Sequence, residues 1–175
     1  MDNDLDNSSL GDAVAYTLNA PLSWSSISDE DQSNLDESNE KTLRVLLSLN
    51  ELPVEHSEDI AALDFKLNIV MELMSELLSQ QLKLPSKKKV RLGANQLVWK
   101  LDKNNVPTLN DEIEVSVFMH ASYPKPLLLR GKVISIDSDC CVLDILEQSE
   151  VAQEILEKFI FMHHRHAIAL TRQAQ

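Results

Sequence analysis

Hydrophobic and polar residues alternate along this chain with two different periods, and each period predicts one type of element. Residues 14–18 alternate with a period of two, and residues 22–24 resume that pattern after Pro21. A period of two is typical of a β-strand, and a proline cannot donate a hydrogen bond to a strand ladder. The pattern therefore predicts an early strand that is interrupted at Pro21.

From residue 33 onwards the apolar residues follow the period of a helix. Residues 33–36 have the form of an N-terminal capping box, a leucine-rich stretch follows, and Pro53 ends it. Ser57 is a good N-cap for a second helix, which must end before Pro85. We therefore expect a helical insertion over residues 33–84, with its second helix at about 57–84.

The second helix carries apolar residues that are alternately three and four positions apart, which is the seam spacing of a coiled coil. The seam residues are Ile60, Leu63, Leu67, Val70, Met74 and Leu77, and Gln81 and Leu84 continue the spacing. Met71, Leu73 and Leu78 lie at flanking positions where two-stranded coils normally carry charges. The helix therefore packs on its own domain as well, belongs to a bundle of three or four helices, or is a single buried helix of a monomer. Its length of roughly 40 Å favours self-association through the seam.

Residues 86–148 are predicted to form short antiparallel strands that are separated by regular turn signals. This arrangement is typical of a small barrel or a curled sheet. A final helix, with one apolar face, is predicted over residues 149–173, with Ser149 at its start. Residues 1–12 are polar and acidic, and we expect them to form a disordered tail. The expected fold class is therefore α+β.

The charge of the chain excludes several classes of partner. The formal net charge is −12, and the first forty residues contain ten of the 28 acidic residues and none of the 16 basic ones. Nothing resembles the basic face of a nucleic-acid-binding protein. No apolar stretch approaches the roughly 18–20 residues that cross a bilayer, and the acidic amino terminus lacks the features of a secretory signal. We expect a cytoplasmic protein without membrane insertion or nucleic-acid partner.

No group of residues predicts catalysis or a bound metal or cofactor. The chain has three glycines and no glycine-rich phosphate loop or hydrolase motif. His163 and His166 are one helical turn apart, but no acidic or cysteine ligand is near them in the sequence. Cys140 and Cys141 are adjacent, which disfavours a disulfide between them. We predict a non-enzymatic protein with no catalytic residue, no metal and no cofactor.

One basic run is present, formed by residues 87–89 together with Arg91. It has two interpretations. The run contacts an anion or a phosphate at the mouth of the β-domain, or it is the solvated start of a strand that protects a sheet edge.

Three segments in this order resemble a known family. They are Ala-Leu-Asp-Phe-Lys-Leu-Asn at 62–68, Val-Arg-Leu-Gly-Ala-Asn-Gln-Leu-Val-Trp at 90–99, and Phe-Ile-Phe-Met-His-His-Arg at 159–165. Together they resemble the atypical PilZ domains that assemble into tetramers through a long heptad helix, over roughly residues 12–172. The resemblance implies a single domain over 13–175, a small six-stranded antiparallel barrel with the long helix inserted after its first strand, and a homo-oligomer, with a tetramer favoured.

Typical PilZ domains sense cyclic di-GMP with an R-x-x-x-R motif and a D/N-x-S-x-x-G motif. The second motif would fall here on Arg91, Gly93 and Gln96, none of which is the required type, and no arginine precedes Arg44. The resemblance thus implies an oligomeric adaptor or regulator in cyclic di-GMP-linked motility, biofilm formation or virulence, with other signalling proteins as partners. The alternative is a direct receptor in which cyclic di-GMP binds a non-standard basic pocket formed by Lys87, Lys88, Lys89, Arg91, Arg130 and Arg165.

Overall fold

The computed structural model of the chain describes most of the sequence. The described residues are 14–28, 30–49, 58–81, 83–102, 105–121, 123–137 and 139–173. The predictions for the tail at residues 1–12, for the helix stop at Pro53 and for the N-cap at Ser57 fall outside these ranges.

The described residues form six strands and three helices. In chain order they are β1 (Ala15–Ser26), α1 (Gln32–Leu49), α2 (Glu58–Gln81), β2 (Lys87–Gly93), β3 (Gln96–Lys100), β4 (Glu112–Val117), β5 (Leu127–Asp137), β6 (Cys140–Ile145) and α3 (Glu150–Gln173). Both inserted helices follow the first strand, as expected. Because α2 ends at Gln81, Leu84 lies beyond the helix whose seam it was predicted to continue.

The six strands close into a barrel in the order β1-β2-β3-β6-β5-β4, and all neighbouring strands are antiparallel. The predicted six-stranded antiparallel barrel is therefore confirmed. Strand β4 illustrates why these residues form it, since Ile113, Val115 and Val117 are buried in the interior whereas Glu112 is exposed. Each strand of the barrel has a neighbour on both sides along part of its length.

The expected interruption of the first strand at Pro21 is wrong. Residues 15–21 of β1 pair with β2, and residues 22–26 pair with β4. Pro21 thus lies where β1 changes neighbours, and its carbonyl accepts a hydrogen bond from the Phe118 N–H at 3.0 Å. The missing N–H is tolerated because the ladder passes from one partner strand to the other at this residue.

Helices α1 and α3 pack against each other and against the barrel, α1 on β5 and α3 on β1 and β2. Leu43 and Leu46 of α1 and Leu156 and Phe159 of α3 are buried in the same apolar cluster as the inward side chains of the strands. The barrel interior and these two helices therefore share one core.

Two buried polar side chains of α1 set its position. The Asn39 amide donates to the Leu128 carbonyl at 2.6 Å and accepts from the Leu128 N–H at 3.0 Å. The pairing of β5 with β6 covers residues 131–137 of β5 and does not reach Leu128. At Leu128 the Asn39 amide therefore makes the hydrogen bonds that a neighbouring strand would otherwise make. The Asp36 carboxylate accepts from the Ser149 N–H at 2.7 Å and thereby connects α1 to the start of α3.

Candidate functional site

The long helix α2 is the most exposed apolar element in the described part of the chain. The side chains of its six seam residues (Ile60, Leu63, Leu67, Val70, Met74 and Leu77) are 47–61% exposed. Among the described residues, α2 packs against no other helix or strand. The structure therefore does not support the two interpretations in which this helix is covered by its own domain or buried in a monomer.

The exposed seam favours association because burying apolar surface is the main driving force for it. Each such side chain contributes about 1.5–3 kcal/mol when it moves from water into an apolar interface. The six seam residues therefore provide a driving force for association, because no described helix or strand of the chain covers them.

A second apolar strip on α2 was missed by the sequence analysis. Phe65 and Ile69 are exposed, and Phe65, at 67%, is more exposed than any seam residue. Each is two positions from Leu67, so a helix that turns about 100° per residue places both on the side opposite the seam. The two apolar residues are four positions apart in the sequence, which is a helical spacing. The sequence analysis considered only the face that carries the regularly spaced seam.

Two of the six predicted basic ligand residues are buried and already bound to other groups. Lys88 is 6% exposed, and its Nζ lies 2.9 Å from the Asp102 carboxylate. Arg130 is 7% exposed and donates to the Glu114 carboxylate at 2.9 Å. It also donates to the Ser28 and Glu30 carbonyls and to the Ser28 hydroxyl. These ion pairs stabilise the folded chain, because a buried charge without a partner would lower the free energy of unfolding.

Of the remaining predicted ligand residues, Lys87, Lys89 and Arg91 lie on one face of β2, because every second residue of a strand points to the same side, and Arg165 lies on α3. Lys87 is exposed and Lys89 is partly exposed on β2. Arg91 lines a small cavity of about 230 Å³ together with His163 and His164. The Arg165 guanidinium lies over the Phe161 ring, 5.7 Å from its centre, as a cation–π pair. Since β5 is not a neighbour of β2 in the barrel, Arg130 is separated from the basic run.

His163 packs between α3 and β1. Its ring stacks on Tyr16 with 4.1 Å between the ring centres, and it lies 4.4 Å from the Phe159 ring. Burial, with smaller contributions from His166 and His120, lowers the pKa of His163. This favours the neutral imidazole as a packing group. No group of three or more possible metal-ligating side chains occurs among the described residues.

The two cysteines are buried, and no disulfide joins them. Cys141 pairs with Trp99 across β3 and β6 and belongs to the main core. Burial, and to a lesser extent the neighbouring Cys140, raises the pKa of the Cys141 thiol to about 12. Because the thiolate is the reactive form, Cys141 is not suited to nucleophilic chemistry or metal binding.

None of the helices in the described ranges combines the length and the apolar character that crossing a bilayer requires.

Comparison with known proteins identifies the fold. No protein-family model matches the chain, and no curated protein does. Among solved structures, the chain matches the crystal structure of a pathogenic protein from Xanthomonas campestris, which is described as a new tetrameric PilZ domain self-assembled via an unusual helical bundle. The TM-score is 0.74 over 91% of this chain and 92% of that one, at 19% sequence identity. This chain therefore has the fold of a PilZ domain with long helical additions.

Proposed function

We propose that the chain is a non-enzymatic PilZ-type adaptor or regulator that assembles through α2 into a homo-tetramer. It acts in cyclic di-GMP-linked signalling, such as motility, biofilm formation or virulence, by presenting several barrels to other signalling proteins. The observation that carries this proposal is the exposed seam of α2, which no described part of the chain covers.

A bundle of four helices fits α2 better than a pair of helices. Leu73 and Leu78, which flank the seam, are 55% and 44% exposed. A two-stranded coil buries mainly the seam, whereas a helix in a four-helix bundle has neighbours on both sides that cover the flanking positions as well. The description of the Xanthomonas campestris structure as a tetramer assembled via a helical bundle supports the same arrangement.

The assembly is tested by placing charges in the seam. The double variant Leu67→Glu/Met74→Glu should retain its barrel but lose association, because carboxylates buried in the bundle would be desolvated without partners. Light scattering coupled to gel filtration should give four times the chain mass of 19.7 kDa for the wild type and a smaller particle for the variant.

The control is Asn68→Glu, which introduces one carboxylate at an exposed position outside the seam, one residue from Leu67. It should leave the tetramer intact. A wild-type protein that elutes as a single chain at micromolar concentration, or a seam variant of unchanged mass, would show that α2 does not assemble the protein.

We further propose that the chain does not hold cyclic di-GMP through the standard motifs. Arg91, Gly93 and Gln96 replace the required residues of the second motif, and the side chains of Lys88 and Arg130 are engaged within the fold. Isothermal calorimetry with cyclic di-GMP should therefore show no micromolar binding.

The alternative function is direct reception of cyclic di-GMP through a non-standard pocket. The small cavity beside Arg91, His163 and His164 is the observation that favours it. Micromolar binding that is lost in Lys89→Ala/Arg91→Ala and kept in Lys125→Ala, which removes a basic residue outside β2, would establish this alternative in place of the adaptor.

A further inference from the structure

A long groove runs beside the turn between β2 and β3. One part is a cavity of about 790 Å³ between this turn and α3, and the next is a cavity of about 750 Å³ that extends towards the start of α3. Both are lined by Ala94, Asn95 and Asp144, so they form one continuous surface.

The first part of the groove has an apolar floor. Val14, Ile160 and Phe161 line it, and the Val14 and Phe161 side chains are 45% and 52% exposed. Large apolar side chains that remain about half exposed in a concave surface are typical of a binding site.

The rim of the groove is strongly acidic. It carries five carboxylates and a single basic residue, Lys158; the acidic residues are Asp144, Glu147, Glu150, Glu154 and Glu157. Within the described ranges, none of the five forms an ion pair. A concave surface lined by one sign of charge attracts the opposite charge and repels phosphates.

An unpaired amide indicates the chemistry of the occupant. Both polar atoms of the Gln148 amide are buried and have no hydrogen-bond partner in the described part of the chain, and Gln148 lines the second part of the groove. Elsewhere in this fold the Asn39 amide binds the N–H and the carbonyl of Leu128 at the same time. The Gln148 amide has the same donor and acceptor, which match the backbone of a peptide.

We propose that this groove binds an extended basic peptide segment of a partner protein. Its Lys or Arg side chains pair with the carboxylates of the rim, and an apolar side chain packs against Phe161. Its backbone bonds to the Gln148 amide after that buried side chain rotates towards the groove. Residues 1–13 of the chain itself are unsuitable, because they hold four aspartates and no basic residue. The inference deepens the proposed adaptor function by naming its docking surface and the charge of its partner.

The probe is a fluorescein-labelled peptide of alternating lysine and leucine or phenylalanine, measured by fluorescence anisotropy against the full chain. We expect saturable binding of one peptide per chain that weakens with salt. The variant Asp144→Asn/Glu154→Gln should bind roughly tenfold more weakly, since two charges facing the peptide are lost at exposed positions. Gln148→Ala should weaken binding without a change of charge.

Two controls separate the groove from general electrostatics. Glu37→Gln/Glu112→Gln removes the same charge at exposed positions on α1 and β4 and should bind as the wild type does. A peptide with glutamate in place of lysine should not bind. Equal weakening in the two double variants, or equal binding of the acidic peptide, would overturn the proposal.

The test is independent of assembly. If the peptide binds the wild type and the Leu67→Glu/Met74→Glu variant equally, the groove is established whatever the mass of the particle. If the wild type is a tetramer that shows no saturable peptide binding, the groove proposal is overturned while the tetramer stands.

Discussion

Gly131 lies on β5 opposite Ile145 of the neighbouring strand β6. A Cβ atom added there would collide with the Asp144 carbonyl oxygen and would lie 2.6 Å from the Leu143 Cγ. Because one of these neighbours is backbone, the clash cannot be relieved by a side-chain rotation. We expect Gly131→Ala to lower the free energy of unfolding by at least the ~1–3 kcal/mol that is usual for overpacking.

Urea denaturation checks this value. Ser116→Ala, which alters a partly exposed residue of β4 and not a close approach of strands, serves as the control. It should change the free energy of unfolding by less than about 0.5 kcal/mol. Equal stabilities of the two variants would contradict the close contact of Gly131 with Leu143 and Asp144.

His163 makes the stability of the protein depend on pH. Its pKa is lower in the folded protein than the ordinary value of 6.5, so the unfolded chain binds more protons between these two values. The free energy of unfolding should therefore fall as the pH drops below about 6.5.

The variant His163→Phe keeps the aromatic contacts with Tyr16 and Phe159 but cannot titrate. Its stability relative to the wild type should increase from pH 7.5 to pH 5.5, as measured by urea denaturation at each pH. All other titrating groups are common to the two proteins, so a difference that stays constant with pH would exclude His163 as the cause.

At the scale of the elements, the Asn39 amide connects α1 to strand β5 of the barrel. Asn39→Ala would leave the partly buried N–H and carbonyl of Leu128 without these partners. Each unsatisfied group costs about 1–3 kcal/mol, so we expect a loss of about 2 kcal/mol or more in the free energy of unfolding.

The control on the same helix is Glu40→Ala, which removes the exposed pair with Arg44. Pairs of this type contribute about 0.3–0.5 kcal/mol. If thermal or urea denaturation gave the two variants the same stability, the Asn39 amide would not be a structural contact of α1.

The elements themselves were largely predictable from local patterns. Alternation with a period of two indicated β4, and the spacing of three and four indicated α2, because one face of each element is apolar. Pro21 misled the prediction, since only the pairing of β1 with two strands in turn shows why a proline is accepted there. Asn39 left no local signal, as its partner is 89 residues away.

For the whole molecule, the helicity of α2 should depend on protein concentration. Isolated helices in water are marginal, and α2 receives no packing from the described part of its own chain. Because α2 is 24 residues long and α1 and α3 have 18 and 24, about a third of the helical signal belongs to it.

The circular-dichroism signal at 222 nm should therefore decrease by up to about a third when the protein is diluted. The near-ultraviolet signal of Trp99, which is buried in the barrel, should persist. The Leu67→Glu/Met74→Glu variant should show the lower helicity at every concentration. A wild-type signal that does not change down to nanomolar concentration would contradict the coupling of α2 to assembly.

The amino-acid sequence by itself determined which segments become strands and helices and that α2 has an apolar seam, because these depend on the spacing of apolar residues a few positions apart. Only the tertiary structure decided that the barrel closes, that Lys88 and Arg130 are bound to carboxylates of the same chain, and that no described part of the chain covers α2. It also assembled the acidic groove from the β2–β3 turn, β6 and α3. These features depend on contacts between distant segments, and the physical reason is that burial and charge pairing are properties of the packed chain and not of local spacing.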